Sequence, residues 1–222
     1  MNLRGRGTFL TDLAPMSIRA HDRLSLPGKA LPKVFFPVGA VISAVCASGD
    51  ARMEVHGVGR EGMIGGHDVF SSKRSRFSLV CQISGSILSM PSPIFRQHVT
   101  TSVELRQILS TYSAGVLNFM MQSIVCNGLH SVAQRCARWL LVTRDRVGAV
   151  DFSLTHELLA RMLGVRRSSV SIALQRLASL KLVRYRFGRM RIVDPRGLEL
   201  ESCTCYRIVA RDARRLLNGR SP

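Results

Sequence analysis

Between Thr155 and Val193 the chain carries side chains suited to holding a polyanion rather than to making or breaking bonds. Arg166 and Arg167 open a run in which Ser168, Ser169, Ser171 and Gln175 follow, while Val170, Leu174 and Leu177 recur at steps of four and three. The second set makes the inward stripe of a helix from Arg167 to about Leu180, which leaves Arg167, Ser168, Ser171, Ile172 and Gln175 on the outer side or its margins. A face that is short-chained and uncharged beyond a basic start can approach base edges closely. Guanidinium groups would serve guanine or phosphate, and hydroxyl and amide groups would serve short polar contacts. Downstream, residues 183–187 and 189–193 alternate about Gly188 and project Arg184, Arg186, Arg189 and Arg191, a basic hairpin able to grip phosphates.

The elements that must position this face stand just upstream. Thr155 suits the N-cap of a short helix over 156–163, with Glu157 in the first turn, where the helix dipole favours an anion, and Leu158, Leu159 and Met162 facing inward. Gly164 supplies the left-handed residue of a tight turn between helices, and Val165 an apolar plug after it. Helix, glycine turn, helix and basic hairpin in that order is far more specific than any one piece. The plain alternative is a structural helix pair beside a solvated hairpin.

Charge distribution agrees. The chain of 222 residues carries a formal net charge of +18, divided as +6 over residues 1–126 and +12 over residues 127–222. Nucleic acid is the leading partner on that ground, with an anionic membrane second; arginine serving only solubility is the bland reading. The apolar run at 34–49 is too short for a bilayer and is broken by Pro37 and Gly39, so no transmembrane helix is expected. Residues 1–13 show no continuous apolar signal segment, which leads to an expected cytoplasmic location. Cysteines at 46, 81, 126, 136, 203 and 205 contain no C-x-x-C pair. That spacing predicts neither metal nor cofactor, although Cys203 and Cys205 are close enough to chelate or to sense oxidants. No G-x-S-x-G, Walker, H-E-x-x-H or dinucleotide motif occurs, so an enzyme is not expected. Only Tyr185 and Phe187 could stack bases near the basic segment, which favours double-stranded over single-stranded nucleic acid.

The first half reads as β structure. Residues 41–45 and 51–56 flank Ser48-Gly49-Asp50, and residues 79–83 and 86–90 flank Ser84-Gly85, predicting two hairpins in a small antiparallel barrel or sandwich. From Ser102 onward Leu105, Leu109, Tyr112, Val116 and Phe119 recur at alternating steps of four and three, the seam of a helix some 25 residues and about 37 Å long. Such a seam could pack on its own barrel; a parallel two-stranded dimer interface is the preferred expectation. Asn127-Gly128 predicts a stop, residues 130–145 a further helix, and residues 211–222 a frayed basic tail.

With these pieces assembled, the sequence resembles the Crp/Fnr family of transcription regulators over nearly its whole length. The stretch LTHELLARMLGVRRSSVSIALQRLASLKLVRYRFGRMRIVDPRGLE resembles that family's winged helix-turn-helix, and residues 34–45 and 57–66 resemble its β-roll. The resemblance implies an α+β fold: an N-terminal β-roll (a jelly-roll-like double-stranded β-helix) over 1–100, a dimerisation helix over 101–127 and a winged helix-turn-helix over 128–222. It implies a homodimer placing two recognition helices about 34 Å apart on double-stranded DNA, with RNA polymerase a further partner. The DNA-binding set is then Arg166, Arg167, Ser168, Ser169, Ser171, Gln175, Arg186 and Arg189. Family members often open this helix with Arg-Glu-Thr-Val and carry an arginine one turn later. Here Arg167-Ser168-Ser169-Val170 and Ile172 stand instead, so the family's usual operator does not carry over.

Cyclic-nucleotide-binding relatives use a glycine-rich cassette, a ribose-holding Glu after a Gly, and an Arg-Ser pair. The corresponding effector set here is Gly62, Gly65, Arg74 and Ser75, but Met63 follows Gly62 and His67 follows Gly66, so the ribose carboxylate is missing from its place. An unknown or absent effector is expected. Iron-sulfur relatives use cysteines near the N-terminus, and none precedes Cys46; a haem ligand from His56 or His67 stays open. The alternative function is a cyclic-nucleotide- or redox-responsive sensor whose helix-turn-helix contacts protein.

Overall fold

A computed structural model describes residues 3–49, 51–66 and 77–217. After α1 (Leu3–Thr11) come β1 (Ala14–Ile18), β2 (Arg23–Ser25), β3 (Lys33–Pro37), β4 (Val41–Ser48), β5 (Ala51–Val58), β6 (Ser78–Ile83) and β7 (Gly85–Pro91). They form two antiparallel sheets, ordered β1-β7-β3 and β2-β6-β4-β5. Between them Ile18, Phe35, Ile42, Val58, Ile64, Leu79, Cys81 and Ile87 make a buried core. The expected β4–β5 hairpin is present. The second expected hairpin is not: β6 pairs with β2 and β4, while β7 pairs with β1 and β3. Ser84-Gly85 is instead a corner between sheets, where a Cβ on Gly85 would lie 2.5 Å from the Gly39 carbonyl. Only glycine allows that approach.

Helix α2 (Ser92–Thr101) leads into α3 (Val103–Leu129), capped by the Ser102 hydroxyl accepting from the Leu105 N–H at 3.1 Å. Asn127-Gly128 does not stop α3, which runs to Leu129. A capping box of Ser131 and Gln134 starts α4 (Val132–Val147), and Gly148, at φ 75°, ends it. The remaining elements are β8 (Asp151–Ser153), α5 (His156–Leu163), α6 (Arg167–Ser179), β9 (Val183–Arg186), β10 (Arg189–Ile192), α7 (Pro195–Glu201) and α8 (Cys205–Leu217). The expected frayed tail is therefore helical as far as Leu217. One core binds the halves together, since Val41 and Ile83 of the β-rich part join Cys136, Trp139, Leu140, Leu159, Val170, Leu177, Met190 and Tyr206.

The expected dimer seam lies against the protein's own body. Leu109 is buried with Val34, Met63 and Phe95, and Leu105 and Tyr112 pack on the same cluster. Phe119 packs on the large core, with the Arg138 and Arg146 guanidinium groups 5.7 and 5.1 Å from its ring centre, and Val116 lines a cavity beside it. The opposite side carries a second stripe with the same alternation, Val103, Gln107, Ser110, Ala114, Leu117, Met121, Ile124 and Gly128, and every one of these is exposed. A helix apolar on two sides yields two seams of one period, and sequence spacing alone cannot rank them. By length and composition α3 is also apolar enough to cross a membrane, which attention to residues 34–49 overlooked.

Candidate nucleic-acid interface

The turn that presents α6 is built as its residues dictate. The Thr155 hydroxyl accepts from the Leu158 N–H at 3.1 Å and caps α5. Gly164, at φ 64° and ψ 38°, closes the helix, and the Val165 N–H donates to the Ala160 carbonyl at 3.0 Å. From α4 the buried Arg135 donates to the Leu163 carbonyl, satisfying one of the orphan acceptors at the end of α5. Burial lowers the Arg135 pKa from its ordinary value.

Helix α6 buries Val170, Ala173, Leu174 and Leu177. Arg166, Arg167, Ser168 and Gln175 are exposed, as is Ile172 at 68%. Ser169 and Ser171 are half-buried. The Ser171 hydroxyl lies 2.9 Å from His156 Nδ1, so it is engaged by a neighbouring helix rather than open. The His156 ring in turn sits 4.5 Å from that of Tyr185, tying α5, α6 and the hairpin together. Its desolvation, and then the charge of Arg167, hold the His156 pKa below the usual imidazole range.

In the hairpin Val183, Met190 and Ile192 turn inward, while Arg184, Arg186, Arg189 and Arg191 are exposed. The register pairs Arg186 with Arg189 and Arg184 with Arg191 directly across the strands. Like charges so placed destabilise a hairpin unless something anionic lies over them. Asp151 answers Arg191 only at 3.9 Å, and Arg186 rests over the ring of Phe187, which is 88% exposed at the hairpin tip. Arg52 of β5 joins Arg161, Arg166 and Arg167 around a shallow depression. Sequence spacing carried no signal for Arg52, because more than 100 residues separate it from this face and only the docking of β5 on α5 brings it there.

The effector set fares differently. A Cβ on Gly62 would lie 2.5 Å from the Tyr112 hydroxyl. That hydroxyl accepts from the Met63 N–H at 3.1 Å and donates to the Met63 carbonyl at 2.9 Å. A backbone donor of the glycine-rich turn is thus already taken by α3. Gly65, at φ 91°, packs close to Leu31. Glu61 binds Arg146 Nε at 2.8 Å with both side chains largely buried, and it accepts from the Gly59 N–H at 3.2 Å. A cavity of about 400 Å³ remains beside them, lined by His56, Arg60, Tyr112, Phe119 and α8. Arg74, Ser75 and His67 lie outside the described residues.

Comparison with known proteins agrees with this geometry. Residues 134–201 match the Crp-like helix-turn-helix domain. No curated protein matches the chain by sequence. Among solved structures, the chain is similar to FixK2 from Bradyrhizobium japonicum (TM-score 0.72, 17% identity, 86% of this chain and 98% of that one). It is also similar to TTHA1359 from Thermus thermophilus, a CRP/FNR-family transcriptional regulator (0.68, 18%, 85% and 98%). A third likeness is to CLP from Xanthomonas campestris, a c-di-GMP-responsive global regulator (0.67, 14%, 86% and 99%). The chain has the fold of the Crp/Fnr regulators, with a Crp-like helix-turn-helix domain at 134–201.

Proposed function

We propose that the chain is a sequence-specific, double-stranded DNA-binding transcription regulator of the Crp/Fnr type that acts as a homodimer in the cytoplasm. One observation carries this reading: the exposed face of α6 and the facing arginine pairs of the β9–β10 hairpin form one cationic surface on a helix-turn-helix frame. Helix α6 enters the major groove, Arg167, Ser168 and Gln175 reach base edges, and Arg166, Arg186 and Arg189 hold phosphates. A duplex relieves the repulsion that the hairpin's register imposes. RNA polymerase is the partner such a complex would address at a promoter.

The exposed α3 stripe through Ala114, Leu117, Met121 and Ile124 supplies the dimer seam, paired in parallel with its copy. This also accounts for the apolar length of α3. Tyr112 and Gln122 hydrogen-bond to the rest of the protein along the other side, contacts that a bilayer-spanning helix would forfeit. Cyclic nucleotide is not the favoured effector, because Tyr112 and the Glu61–Arg146 pair occupy the groups it would need.

Selection of bound sequences from a random duplex pool tests the proposal. Two half-sites whose centres lie about 34 Å apart are expected. Failure to enrich any sequence, or binding that ignores salt, would remove DNA recognition from the reading.

A further inference from the structure

Four potential ligands converge at the joint between α3 and α4. Cys126 and His130 stand one helical turn apart at the end of α3, and Cys203 and Cys205 flank Thr204 in the corner between α7 and α8. Their thiol sulfurs and one imidazole nitrogen all lie within 4.8 Å of one another. Cys126 Sγ is 3.5 Å from Cys203 Sγ, and Cys205 Sγ is 3.6 Å from His130 Nδ1. The three cysteines are buried and His130 is half-buried.

The geometry points to a mononuclear zinc(II) site with Cys126, His130, Cys203 and Cys205 as its four ligands. Tetrahedral zinc with bonds of about 2.3 Å to sulfur separates its sulfur ligands by about 3.8 Å. The 3.5 and 3.6 Å separations already meet that requirement, and the widest needs to close by about 1 Å. An iron-sulfur cluster inserts several atoms between its cysteines and demands more room. Thiolates with imidazole in a closed tetrahedron select zinc over the hard cations.

The surroundings suit the resulting charge. Three thiolates and one zinc(II) leave one negative charge, and the positive charges of Arg135 and Arg138 on α4 act on Cys126. The Gln122 amide donates to Cys205 Sγ at 3.0 Å, the kind of outer hydrogen bond that orients a metal ligand. Ordinary packing thiols in this protein look different. Cys81 and Cys136 lie among aliphatic side chains, whereas Cys126, Cys203 and Cys205 form a cluster of their own. Sequence spacing misses the site because each half supplies two ligands without a C-x-x-C pair, and 77 residues separate Cys126 from Cys203. Bound zinc would pin the end of α3 to the α7–α8 corner and so hold the helix-turn-helix unit in one orientation.

The test is metal analysis of the reduced full-length protein after dialysis against a weak chelator. About one zinc per chain is expected. Replacing zinc with cobalt(II) should give the ligand-field bands of a tetrahedral centre and thiolate-to-metal charge transfer. The double change Cys203→Ser and Cys205→Ser should lower metal content about tenfold or more, and Cys46→Ser should leave it unchanged. Wild-type protein that holds no zinc and gives no thiolate bands with cobalt overturns the proposal. So does zinc content indifferent to the double change, or a Cys126–Cys203 disulfide in freshly reduced, zinc-treated protein. The wild-type cobalt spectrum decides the matter even where the double variant fails to fold.

Discussion

Arg167 stands exposed in the first turn of α6, beside a stripe whose burial fixes its direction. Its replacement by Ala should weaken binding to the selected duplex by about 5- to 150-fold, equivalent to roughly 1 to 3 kcal/mol for one bidentate base contact. Fluorescence anisotropy on a matched operator measures this, and an unchanged Kd removes Arg167 from recognition. His156 sits differently. Its pKa is held below the ordinary value by burial and by Arg167, so the unfolded chain binds the proton more readily. Its contribution to stability is therefore present above about pH 6.5 and is lost as pH falls through the lower folded value. Melting curves should show stability declining below that point, with a shallower decline in His156→Gln. At this scale the outward set on α6 was legible, because steps of four and three separate buried from exposed positions. The capture of Ser171 by His156 was not, since it depends on two helices meeting across the turn.

The hairpin of β9 and β10 places arginine opposite arginine twice over. Replacing Arg186 and Arg189 with Ala should reduce the slope of log K against log salt by about 2, one unit for each phosphate left without its arginine. Thermal stability should hold or rise, because a cross-strand repulsion goes with them. A flat slope in both proteins would place the duplex elsewhere. The α5–Gly164–α6 frame and the β4–β5 hairpin were readable from caps, turn residues and alternation, all of them local. The partners of β6 and β7 were not, because two adjacent strands that join different sheets show the same alternation as a hairpin. What separates the two cases is the contact between Gly85 and the Gly39 backbone, 46 residues apart in the chain.

For the whole molecule the decisive question is which side of α3 meets a second copy. Leu117→Asp should shift the protein from dimer to monomer in sedimentation velocity and weaken operator binding, while helix content is retained. Leu109, buried at 3% exposure against the β-rich half, should instead unfold that half when changed to Asp. A dimer that survives Leu117→Asp would move the interface away from this stripe. The two seams also bear on biosynthesis. As α3 leaves the ribosome both of its sides are bare and share one repeat, so either can zip onto a neighbouring nascent copy. The β strands precede α3 in translation and are ready to claim the side with Leu109 and Tyr112. Chain order thus acts as a chaperone, hiding the wrong seam before the right one finds its mate.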